Sequence, residues 1–117
     1  MRQSEPNDQV PSPPSENEGA ISSVEVAEAE VMVINEAGLH LRVAMRIVEV
    51  ATKLAAAIEV HTEETRANAK SMLDLLALAA GPGTKLRFAA SGREAADSLK
   101  RLLASLSPEE FEVLAAG

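Results

Sequence analysis

Hydrophobic and polar positions change period several times along this chain, and each change marks an element. From Glu30 onward, Val31 and Val33 alternate with Glu30 and Met32, the two-residue repeat of a strand that buries one face. Asn35-Glu36-Ala37-Gly38 interrupts the repeat. Ala44, Ile47, Val48, Ala51 and Leu54 then recur at helical spacing and predict an amphipathic helix over roughly 41–54. Ala57 to His61 alternates as a second strand, Glu63-Glu64-Thr65 reads as a turn, and Arg66 to Ala69 forms a weaker third strand. Ser71 is a good N-cap for a short helix, Met72 to Ala79. Gly81-Pro82-Gly83 turns the chain into a fourth strand marked by Leu86, Phe88 and Ala90. Ser91-Gly92 leads into a final helix with Ala95, Leu99, Leu102, Leu103 and Leu106 on one side.

The order is βαββαβα across residues 25–106, which predicts an α+β open-faced sandwich with four strands and three helices. A segment of that size can hold one small core without a metal or a disulfide. Two extensions flank it. Residues 1–24 contain Pro6, Pro11, Pro13 and Pro14 among polar residues, too little apolar area to offset ordering entropy, and read as a disordered tail. Residues 107–117 open with Ser107-Pro108-Glu109-Glu110, the N-cap, N1 proline and acidic first turn of a further short helix with Phe111 and Leu114 on its apolar side.

Composition narrows the chemistry. The chain of 117 residues contains no Cys, which excludes disulfides, thiolate zinc sites, iron–sulfur clusters and Cys nucleophiles. Phe88 and Phe111 are its only Phe, Tyr or Trp residues, so a base-stacking platform for single-stranded nucleic acid or RNA has almost nothing to be built from. The net charge of −7 sits mainly at the ends. Glu5, Asp8, Glu16 and Glu18 outweigh Arg2 at one end, and Glu109, Glu110 and Glu112 stand unopposed at the other. The nearly neutral middle lacks the clustered basic face of a nucleic-acid binder. No apolar run approaches the ~18 residues of a membrane span, and the polar N-terminus has no apolar segment resembling a signal peptide. A soluble cytoplasmic protein is expected.

Two histidines and no evident carboxylate pair leave few catalytic options. His40 lies between a Gly-containing loop and the start of the first helix, in Gly38-Leu39-His40-Leu41-Arg42. An anion there would meet unpaired backbone N–H groups and the positive end of the helix dipole. Arg42 can add a charge-assisted fork. Imidazole is free to attack near neutral pH without a dedicated base, and phosphoryl transfer relies mainly on positioning and charge. From residue chemistry alone two readings of His40 stand: a nucleophile, or a histidine that caps a helix. His61 reads as a solvated strand residue and Lys70 as a solvated charge. Gly81-Pro82-Gly83 lacks the Gly-Lys-Ser/Thr ending of a phosphate loop, and His40 with His61 has neither the spacing nor the further ligands of a metal site.

Gly38-Leu39-His40-Leu41-Arg42-Val43-Ala44 resembles the active-site signature of the histidine phosphocarrier protein HPr family of the bacterial phosphotransferase system. That signature reads Gly-Leu-His, any residue, Arg-Pro-Ala, so Val43 replaces its proline. Ala69-Lys70-Ser71-Met72-Leu73 resembles the segment around the family's regulatory serine, at the expected distance. Element order matches from about Glu30 to Leu106, and Gly83-Thr84 before the last strand is also typical. The resemblance implies an antiparallel sheet with three helices on one face. It also implies that His40 accepts a phosphoryl group on Nδ1 from enzyme I and passes it to an enzyme IIA component. Arg42 would stabilise that group and Ser71 would match the site of HPr kinase/phosphorylase. Leu41, Met45, Glu49, Met72, Leu73 and Leu76 fall where the family docks partners, and one of Met72 and Leu73 is expected to pack beneath the short helix instead. No cofactor, no metal, no nucleic acid and no membrane insertion are implied, and the expected state is a monomer acting as a stoichiometric carrier rather than a turnover enzyme. The alternative is a regulatory module on the same fold, controlled by phosphorylation of Ser71 and without phosphotransfer. Proline in a helix's first turn costs no intrahelical bond. Valine there restores one N–H at a small propensity cost, so the fold is expected to survive.

Overall fold

A computed structural model describes residues 25–116. The Pro-rich segment, 1–24, lies outside the described residues. Eight elements follow in order: β1 (Val26–Val33), α1 (Leu41–Ala51), β2 (Ala57–His61), β3 (Arg66–Asn68), α2 (Met72–Ala77), β4 (Lys85–Ser91), α3 (Ala95–Ser105) and β5 (Phe111–Ala116). The strands form one sheet in the order β3-β2-β4-β1-β5, and every neighbouring pair is antiparallel.

Strict alternation decides which face of the sheet is covered. Ala27, Ala29, Val31 and Val33 of β1 are buried, as are Ile58 and Val60 of β2, Ala67 of β3, and Leu86, Phe88 and Ala90 of β4. Register sets Val31 beside Leu86, Ala29 beside Phe88, and Phe88 beside Val60, so these side chains share one face. Val43, Ala44, Ile47 and Ala51 of α1, Leu75 of α2, and Ala95, Leu99 and Leu102 of α3 complete the same core. Each fully buried large side chain contributes about 1.5–3 kcal/mol relative to exposure. The opposite face carries exposed Glu28, Glu30, Glu59, Lys85 and Arg87, which water solvates. This is the open-faced α+β sandwich expected from the chain's periodicity.

β1 is longer than its clearest pattern, because the small residues Ala27 and Ala29 extend the buried face toward the N-terminus with little β-propensity of their own. α1 ends at Ala51 and α2 at Ala77, each a few residues before the sequence expectation. Leu78 caps α2, and the next residue, Ala79, takes a left-handed φ of 52°.

The C-terminal segment requires a correction. Ser107 does start a turn: its carbonyl accepts from Glu110 and Phe111 N–H at 2.9 Å, and its Oγ accepts from Glu109 N–H. The turn does not propagate into the expected helix. Phe111 is buried beside Val33, and the chain pairs with β1, whose outer edge would otherwise display unsatisfied backbone groups. The expected four-stranded sheet therefore has a fifth strand, with a register shift between Ala115 and Val113 that leaves Leu114 as the extra residue.

Candidate functional site

His40 is the N-cap of α1, with extended backbone (φ −90°, ψ 178°). Its carbonyl accepts from Ala44 N–H at 2.9 Å, the first bond of the helix. Among the described residues, the N–H groups of Leu41, Arg42 and Val43 have no backbone acceptor, so three donors stand open in the first turn. The imidazole makes no capping hydrogen bond and is half-buried. Of the two readings of His40, its backbone holds the capping position while its side chain does not cap.

The loop before His40 is held by short-range bonds. Gly38 N–H donates to Asn35 O at 2.9 Å, Asn35 Nδ2 donates to Gly38 O at 3.2 Å, and His40 N–H donates to Gly38 O at 3.0 Å. Gly38 adopts φ +69°, and a Cβ there would stand 2.5 Å from Ala80 O. Leu39 is buried and donates its N–H to that same carbonyl at 2.8 Å. The turn after α2 thus supplies the wall against which the histidine loop rests. Asn35 and Gly38 had a signal in the sequence, the turn-forming Asn-Glu-Ala-Gly run. Ala80 had none, because its role is a backbone carbonyl brought in by tertiary packing.

Arg42 is exposed two residues after His40, and among the described residues it forms no ion pair. Val43 is 1% exposed and packs in the core as part of α1, so the helix forms with valine in its first turn. Leu41 (56% exposed), Met45 (55%) and Leu73 (80%) present apolar side chains to solvent on α1 and α2. Glu49 is also exposed. Met72 and Leu76 are partly buried against the core, which settles which of Met72 and Leu73 packs beneath the short helix.

Ser71 is the N-cap of α2, and its Oγ accepts from Asp74 N–H at 3.3 Å. The Asp74 carboxylate turns back to accept from Asn68 N–H at 3.1 Å. Lys70, expected as a solvated charge, instead donates from Nζ to Leu54 O at 3.1 Å, beyond the C-terminal end of α1. Lys70, next to Ser71, is thus tied to the C-terminal side of α1, whereas His40 stands at its N-terminus. His61 pairs with Glu59 across 3.0 Å on the sheet. Among the described residues, no three His, Asp or Glu side chains gather as metal ligands, and no helix is long and apolar enough to cross a membrane.

Fold and loop together define a class: a small open-faced α+β domain that presents a histidine at the head of a helix. The family model of the PTS HPr component phosphorylation site matches residues 27–107, and the chain belongs to the HPr phosphocarrier family of the phosphotransferase system. It is 35% identical over 83 residues to a phosphocarrier protein HPr of Treponema pallidum, covering 68% of this chain and 94% of that one. A phosphocarrier protein HPr of Lysinibacillus sphaericus is 37% identical over 75 residues, covering 64% of this chain and 85% of its own. Among solved structures, HPr from Bacillus anthracis superposes with a TM-score of 0.63 at 28% identity, over 70% of this chain and 98% of that one. The histidine-containing phosphocarrier protein of a Mycoplasma gives a TM-score of 0.66 at 25% identity, over 68% and 90%.

Proposed function

We propose that this protein carries a phosphoryl group on His40, taken from enzyme I and delivered to an enzyme IIA component in the cytoplasm. The observation that carries this reading is the state of the His40 imidazole, which is spared from capping while, among the described residues, three first-turn N–H groups stand open. In the transfer, neutral His40 attacks phosphorus through the Nδ1 lone pair as the bond from phosphorus to the donor breaks. The proton stays on Nε2. The phosphoryl oxygens then face the first-turn amides and the positive end of the α1 dipole, with Arg42 in reach as a mobile charge-assisted donor. Delivery reverses the geometry on the acceptor, with His40 as leaving group.

Leu41 and Met45 on α1 and Leu73 on α2, all exposed, supply an apolar docking surface in which the methionine adapts to more than one partner. Met72 and Leu76 shape it from beneath, and Glu49 contributes charge at its margin. Ser71 is the candidate regulatory site for HPr kinase/phosphorylase, acting at a distance from the histidine loop. A purely regulatory module controlled at Ser71 is the second reading, favoured by the placement of valine where the family signature has proline.

Incubation with phosphoenolpyruvate, magnesium and enzyme I, followed by intact-mass analysis at alkaline pH, tests the proposal. One added phosphate that is lost in acid and absent from His40→Ala is the expected result. No addition to the folded chain with its cognate enzyme I would shift the reading to the regulatory module.

A further inference from the structure

The family match ends at residue 107, yet the residues that follow it hold the loop leading to His40. Glu110 is the point of attachment. Its carbonyl accepts from Ile34 N–H at 2.9 Å and from Asn35 N–H at 3.3 Å. Its carboxylate pairs with Arg46 of α1, and the Glu110 side chain is only 14% exposed. Asn35 passes the restraint on, because it bonds Gly38 through both its carbonyl and its side chain, and Gly38 O in turn accepts from His40 N–H. Arg46 lies one helical turn beyond Arg42, on the same side of α1. Glu110 thus grips at once the loop before His40 and the helix after it. These are the two segments whose relative placement sets where the imidazole stands relative to the open amides.

The grip is itself anchored. Next to Glu110, Phe111 is 4% exposed in the core, and β5 runs on along the edge of β1. The Glu110 carboxylate is shielded while Arg46 is 39% exposed, so the grip rests on the fixed strand end and the two backbone bonds as much as on the ion pair.

We propose that Glu110 is a positioning residue for phosphoryl transfer, and that the C-terminal turn and strand form a clamp on the His40 loop. Its consequence for transfer rests on the phosphocarrier reading, whereas the clamp itself does not. Small displacements of a reacting group cost large factors in rate, so a loosened loop lowers the rate of the chemical step more than it weakens docking.

The test compares the full chain with a chain ending at Ser107 and with Glu110→Ala and Glu110→Gln. Two readouts are used: amide hydrogen exchange at Gly38, Leu39 and His40, and steady-state phosphorylation by enzyme I. For the shortened chain, exchange at these amides is expected to accelerate about tenfold and kcat to fall about tenfold, with KM for enzyme I changed less than about twofold. Glu110→Ala is expected to show a smaller change in the same direction, and Glu110→Gln, which still accepts from Arg46, to recover part of it. If the shortened chain fails to melt cooperatively, Glu110→Ala carries the comparison. Unchanged exchange and unchanged kcat would overturn the proposal. A defect confined to KM would also overturn it, assigning Glu110 to partner docking instead. Should the full chain take up no phosphate, the carrier reading fails, and the exchange data alone decide the clamp: acceleration supports it and parity refutes it.

Discussion

The backbone N–H of Leu39 donates to the carbonyl of Ala80 at 2.8 Å, so the residue before His40 is fastened to the turn that follows α2. Gly38 makes this approach possible. At φ +69° it occupies the left-handed region, and a Cβ would meet Ala80 O at 2.5 Å. The clash is with backbone, which cannot rotate away as a flexible side chain can. Gly38→Ala should therefore lower stability by at least about 2 kcal/mol and detach the loop from its wall. Chemical denaturation measures the loss, and a midpoint equal to the parent's would remove the close-approach argument.

Ser71 accepts from Asp74 N–H as the N-cap of α2 whether or not a kinase ever finds it. Ser71→Ala should cost about 1 kcal/mol, while Ser71→Asn, also a good cap, should lie close to the parent. Urea titration of the three proteins separates them. Equal stability for serine and alanine would mean that the cap bond adds nothing here.

Ala79 follows the cap of α2 at φ 52°, where a side chain is strained, and its methyl is exposed. Ala79→Gly should raise stability by roughly 0.5–1 kcal/mol, because relief of the left-handed strain exceeds glycine's entropic cost. A higher melting temperature is the expected outcome, and a lower one would show that the entropic cost prevails.

Val43 offers a fourth prediction. Its N–H has no backbone acceptor among the described residues, so proline would remove no helical bond, and its buried side chain would change by little more than a methyl group. Val43→Pro should fold with stability within about 1.5 kcal/mol of the parent. Both proteins should take phosphate on His40 under the same conditions. Uptake by the proline variant alone would show that valine misplaces the histidine.

Much of this molecule is written in local pattern. Alternation around Val31 and Phe88 and the helical spacing of Ala44, Ile47 and Ala51 decide elements and buried faces together. A residue's neighbours two or four positions away are the ones it shares a surface with. Ser71 as a cap was legible for the same reason, since a cap bond spans three residues. The histidine loop was legible as a motif, Gly38-Leu39-His40 ahead of Arg42, though not the wall behind it.

What tertiary structure alone decided involves contacts between distant segments. Ser107-Pro108-Glu109-Glu110 carries every local sign of a helix start and does make one turn, but local signs cannot report that β1 leaves an open edge within reach. Satisfying that edge and burying Phe111 outweigh continuing a short exposed helix, whose nucleation is costly and whose packing face is small. Likewise Ala80 carries no chemistry in its side chain, yet its carbonyl holds Leu39 and excludes a Cβ at Gly38. Local pattern in the chain sets the periodic elements, the Ser71 cap and the presence of a histidine at a helix head. The folded chain decided what braces that histidine, because a backbone carbonyl or a vacant strand edge acts through position and leaves no mark in residue identity.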